Sequence, residues 1–230
     1  MFWKKKTSTS TAIEEKCAKA LFKTLAEGLK KDGRIRAEDL IAVAASIAAE
    51  WCIEVAGDFN PRKHQFVPGS RVFSEKVNEV FSGNADDIAM APTESIVGTL
   101  RDKLVETGYM MTDFSSLKTI FEHFATNVGK PTDWGKVPSS VPANNQPFVL
   151  PLRIAYETRP IVDKIFQQLA TTRQKLGAAV LALAEVLISV QHVIEKKTAL
   201  LLALETLNGM AKTAPMTDEA MMSLKKKSGD

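Results

Sequence analysis

The sequence predicts an all-α protein: a multi-helix bundle of about seven or eight helices with a long Pro-rich loop packed on its surface. Three observations carry this. Apolar residues recur at three- and four-residue steps through most of the 230-residue chain. Aromatic residues make up only 7% of it, leaving Ala, Leu, Ile and Val to supply the core. Between residues 70 and 129, segments that open on Ser, Thr or Asp and close on Gly follow one another closely.

The elements follow in order. Thr11 and Glu14 form a capping box, and Ile13, Cys17, Leu21, Leu25 and Leu29 then repeat every four residues, so a first helix is expected from Thr11 to near Lys31. A second is expected from Ala37 to Ala56, with Glu38 and Asp39 in its first turn and Leu40, Ala44, Ile47, Trp51 and Val55 on one face. Its many alanines favour close helix packing. The intervening "KKDGRIRAEDL" is not a calcium loop, because Gly28 and Lys30 would fall where carboxylate ligands are needed. Ser70 is expected to cap a helix carrying Val72, Phe73, Val77, Val80 and Phe81, which stops at Gly83. Thr93 then caps one with Ile96, Val97, Leu100 and Leu104, and Asp113 caps another with Phe114, Leu117, Phe121, Phe124 and Val128.

Residues 129–151 hold five prolines and no helical or strand period. Ordering them costs roughly 1–2 kcal/mol per residue, which burial of Trp134, Val137, Val141, Phe148, Val149 and Leu150 at roughly 1.5–3 kcal/mol each would about offset. The loop is therefore expected to drape over the bundle with its aromatics docked. Residues 152–211 read as helical, with a kink or restart at Pro160 and a weak point at Gly177. Leu183, Leu187, Val190, Ile194, Leu201 and Leu204 form a stripe flanked by further apolar residues, wide enough for a central core helix or a homo-oligomer seam. Residues 1–10 are expected to be a flexible arm and 213–230 a loose tail, leaving one helical domain over 11–212.

Composition excludes several classes. Lys4, Lys5 and Lys6 stand in a stretch without acids, and the rest of the chain carries 27 basic and 27 acidic residues. A neutral body disfavours nucleic acid as a partner. The "MFWKKK" start lacks an apolar segment behind its lysines, so it reads as a frayed arm capable of weak peripheral membrane contact and not as a secretory signal. The apolar run 177–193 is broken by Glu185 and Gln191 and is too short to span a bilayer. Cys17 and Cys52 lie in apolar patterns without metal-ligand spacing, which predicts buried free thiols, no metal site, no cofactor and a cytoplasmic location.

No nucleophile elbow, zinc-helix motif or phosphate loop occurs, and His64, His123 and His192 have no ligand partners nearby in sequence. The chain is thus expected to be a non-catalytic protein-binding or assembly module of a bacterial-type cytoplasmic complex, acting on a protein partner or by self-association. Two alternatives stand beside this. "ADDIAMAPTESIVGTLRDKLVETGY", residues 85–109, resembles the helix-turn-helix of winged bacterial regulators, which implies that Thr93, Glu94, Ser95, Thr99 and Arg101 would face a major groove. Its turn is about two residues short of that motif, and no β-wing follows it. The other alternative is a small-anion or metabolite site, or an enzyme built around one. Arg62, Lys63, His64 and Arg71 surround Ser70, whose helix would offer free backbone N–H groups, and Trp134, Arg153 and Tyr156 could complete the site. The milder reading pairs Arg153 with Glu157 at i,i+4 and leaves residues 58–70 as a connector.

Overall fold

The computed structural model describes residues 8–228 apart from 64, 73, 128–136 and 138. Among these the chain forms nine α-helices: α1 Ser8–Gly28, α2 Ala37–Ala56, α3 Glu75–Ser82, α4 Ile96–Val105, α5 Leu117–Asn127, α6 Pro151–Phe166, α7 Thr172–Val190, α8 Lys196–Ala211 and α9 Asp218–Ser228. No strand occurs among the described residues, only isolated bridges at Lys31–Arg34 and Arg71–Thr213.

The bundle is organised around α2. Its small side chains are buried on every face, from Leu40 through Ala49 and on to Ile53. Alanine removes little volume per turn, so neighbouring helices approach closely all round, and α2 packs most heavily against α7 and α8, then α6, α3 and α1. It stops at Gly57, whose φ of 71° lets its N–H reach back to the Ile53 carbonyl. Of the two acidic side chains in the last turns of this helix, Glu50 is met by Arg159 of α6 and Glu54 lies near Arg62. Helix α7 opens on a reciprocal Thr171–Gln174 capping box and takes α1 along its outer side. No helix among the described residues is long and apolar enough to cross a membrane.

Several boundaries differ from expectation. Helix α1 begins before Thr11, which lies inside it, and stops at Gly28 short of Lys31. The caps are displaced as well: Ser74 and not Ser70 caps α3 through the Val77 N–H, and Ser95 and not Thr93 caps α4 through the Gly98 N–H. Asp113 belongs to a single 3-10 turn, where it accepts from the Met110 N–H, and α5 starts only at Leu117. In each case a second Ser or a shorter turn lay close to the residue favoured by spacing. Pro160 sits inside a continuous α6, and Gly177 inside a continuous α7, where an added Cβ would lie 3.1 Å from a Glu14 carboxylate oxygen. That glycine serves the contact with α1 rather than a break. The real breaks fall at 167–171 and 191–195, so 152–211 is three helices.

The expected tail is also structured. Ala214, Met216 and Thr217 are buried, and α9 follows. Residues 212–214 pair with 69–72: the Gly69 N–H donates to the Ala214 carbonyl, the Ala214 N–H to Ser70 and the Val72 N–H to Lys212.

Leu183, Leu187, Val190, Ile194 and Leu204 are buried within the chain and Leu201 is half-buried. The breadth of the stripe is accounted for by α1, α2 and α4 packing on α7 and by α2 on α8, so it is core and not a free seam. Cys17 and Cys52 are buried free thiols, and burial pushes Cys52 up to about 12.

Candidate functional site

The residues proposed around Ser70 do not converge. Arg62 forms a bidentate pair with Asp163 of α6 at 2.5 and 2.7 Å and lies near Glu54. The Asp163 carboxylate holds the Arg62 pKa above its usual range. Arg71 points elsewhere, donating to the Ala125 carbonyl at the end of α5 and stacking over Phe124. Lys63 is exposed, and Ser70 is spent in the pairing with Ala214. His64 and Trp134 lie outside the described residues. Arg153 pairs with Glu157 at 2.6 Å, and Tyr156 donates to Asp218 at 2.8 Å, which raises the phenol's pKa. The opening of this loop is pinned by the buried Pro61 and Pro68, with Phe59 and Phe66 edge to face beside them.

The helix-turn-helix arrangement does not form. Where its first helix would stand there is a single 3-10 turn, Ile88–Met90. The Arg101 guanidinium donates to the carbonyls of Ile88, Ala89 and Ala91 and pairs with Asp102, so it caps that turn from below instead of facing outward. Gly98 holds the turn against α4, since an added Cβ would come within 2.0 Å of the Pro92 carbonyl oxygen.

A different set of residues does converge, at the α1–α2 turn. Asp32 and Gly33 have φ of 49° and 77°, and Lys31 and Arg34 exchange backbone hydrogen bonds of 2.9 Å across them. This tight turn sets two cationic side chains at its ends. Against it runs the segment 139–150, held by charge. The Asp39 carboxylate accepts from the N–H groups of Phe148 and Val149, and the Arg36 guanidinium donates to the Asn144 and Gln146 carbonyls. Glu38 accepts from Asn145. The buried Glu205 of α8 accepts from Ser140 N–H at 2.7 Å, Ser139 Oγ at 2.7 Å and Ser140 Oγ at 2.6 Å. Replacing Glu205 by alanine strands these donors and is expected to cost about 1–3 kcal/mol. Hydrogen exchange would show faster opening at 139–146, and unchanged exchange there would exclude Glu205 as the anchor.

Because polar groups hold the segment, Phe148 does not need to dock, and it is 78% exposed. Its ring instead lies 3.8 Å from the Arg36 guanidinium. The result is a cleft of about 570 Å³ lined by Leu29, Lys31, Arg34, Ile35, Arg36, Asp39, Phe148, Val149 and Ile154. It adjoins a second chamber of about 340 Å³ that shares Lys31, Phe148, Val149 and Ile154 and adds Leu150, Arg153 and Glu157. Arg36 is paired with Glu38 and Arg153 with Glu157. Lys31 and Arg34 make no ion pair among the described residues. Sequence reasoning passed over this turn as structural and expected Phe148 to be buried. The overlooked signal was a pair of cations flanking Asp-Gly, which puts both charges on one short hairpin.

One buried cation stands apart. Lys212 is 6% exposed, with its ammonium 4.5 Å from the Phe121 ring and 5.4 Å from that of Phe124. Burial lowers its pKa to about 8. No carboxylate pairs with it among the described residues. One turn earlier on α8, Asn208 is buried with neither amide atom hydrogen-bonded.

Among the described residues no cluster of three or more His, Cys, Asp or Glu side chains could hold a metal ion. The chain matches no protein-family model, no curated protein and no solved structure.

Proposed function

We propose that the chain is a non-catalytic binding module whose working surface is the cleft between the α1–α2 turn and residues 148–157. The observation that supports this is the coincidence of two cations with no ion pair among the described residues, Lys31 and Arg34, with the exposed side chains of Ile35 and Phe148 around one concave surface. Exposed aromatic groups beside uncompensated charge are features that binding surfaces use and that stability does not require. The combined chambers are also of a size that holds a compact ligand or a few side chains of a partner.

The reading is tested by native mass spectrometry of the full chain recovered from its host, beside a Lys31→Glu/Arg34→Glu variant. A stoichiometric companion is expected with the natural chain and its loss with the variant. A chain that emerges alone, or a companion kept equally by both, would refute it.

A further inference from the structure

Resting on that reading, we propose that the occupant of the cleft is a short extended segment of a partner protein in which carboxylates flank a large apolar residue. The chemistry follows from which groups around the cleft remain unspent. Asp39 is consumed by two backbone N–H groups, Arg36 by Glu38 and two carbonyls, and Arg153 by Glu157. What is left to meet a partner is positive charge at Lys31 and Arg34 and apolar surface at Ile35 and Phe148.

The Phe148 and Val149 N–H groups are already committed to Asp39, so an incoming chain cannot be held there as an added strand. Recognition must therefore run through side chains. The two chambers share Lys31, Phe148, Val149 and Ile154, which makes them the two ends of one groove; an apolar side chain seated beside Phe148 would leave its neighbours on either side close to Lys31 and Arg34. Carboxylates at those neighbouring positions complement that charge.

The same charge argument excludes other occupants. The chain's own termini carry Lys4–Lys6 and Lys225–Lys227, of the same sign as the cleft, so neither they nor those of a second copy suit it. Two unspent cations on a neutral body are also too few to follow a nucleic-acid backbone.

The test is fluorescence polarisation with a labelled Glu-Asp-Leu-Phe-Glu-Asp peptide, its Lys-Lys-Leu-Phe-Lys-Lys counterpart and a version with Ser-Ser in place of Leu-Phe, with dodecanoate as competitor. The acidic, apolar peptide is expected to bind best and to weaken as salt is raised. Its affinity should fall about tenfold or more in Lys31→Glu/Arg34→Glu, and measurably in Phe148→Ala, with the circular dichroism of both variants unchanged. Equal binding of the acidic and basic peptides would overturn the inference. So would binding of dodecanoate alone, abolished by the same variants, although the cleft would then still be a binding surface. If neither probe binds and the native chain carries no companion, the broader reading fails as well.

Discussion

Replacing Arg159 by alanine is expected to lower the unfolding free energy by about 3–5 kcal/mol, the usual cost of leaving a buried charge without its partner. Arg159 joins α6 to α2 through Glu50, with contacts of 2.6, 3.0 and 3.1 Å. Both side chains are about nine-tenths buried, at 10% and 12% exposure. The guanidinium also donates to the Pro61 carbonyl and faces the Tyr156 ring. Without it, Glu50 keeps only the more distant charge of Arg62 and draws water into the helix interface. The double replacement Glu50→Leu/Arg159→Met should recover most of the loss, because it removes both desolvation penalties together. Urea unfolding of the single and double variants checks this. A single variant within about 1 kcal/mol of the natural chain would mean the pair is solvated.

Neutralising the other buried cation is expected to do the opposite. Lys212→Met should stabilise the fold by up to about 3 kcal/mol near neutral pH, from a pKa lowered from 10.5 to about 8. The cause is burial, and Cys52, the titratable group that acts on it among the described residues, offers no counter-charge because its thiol is itself pushed up to about 12. Contact with the Phe121 and Phe124 rings offsets part of the penalty. Methionine keeps the apolar contact with those rings. The pH dependence has a definite sign. Below about 8 the amine is charged in both states and the full penalty is present; between about 8 and 10.5 the unfolded chain binds a proton at Lys212 that the native chain does not, so the penalty at this residue fades as pH rises. The gap between variant and natural chain should therefore shrink across that window. A gap that stays constant from neutral pH to 10.5 would show that Lys212 is solvated.

The contrast between these lysine and arginine side chains also shows what sequence can convey. The all-α class and the limits of α2 were readable because apolar spacing and glycine stops are local properties. Pro160 and Gly177 misled for a physical reason: proline near the middle of α6 and glycine in α7 are tolerated where packing, against α2 and α1, outweighs propensity. The shift from Ser70 to Ser74 has a non-local cause, since residues 69–72 are recruited as an extended segment by 212–214, about 140 positions away. Of the candidate binding residues that the structure describes, Arg153 alone lines the cleft. Arg62 and Arg71 looked available only because Asp163 and the Ala125 carbonyl are distant in sequence. Lys31, Arg34 and Phe148 were hidden by the converse: nothing local says that Asp39 will take the backbone of 148–149 and leave the phenylalanine outside.

The burial of α2 has a consequence for biosynthesis. This helix buries apolar side chains on every face, yet the partners that cover most of it, α7 and α8, end at Val190 and Ala211. A ribosome adding roughly 5–20 residues per second needs on the order of 10–30 s after finishing α2 before that cover has been made. For that interval the growing chain carries a sticky alanine- and isoleucine-rich rod that α1, then α3 and α6, can only partly shield. Yield in the cell should therefore depend on holding factors that act on nascent chains more strongly than the stability of the finished fold would suggest.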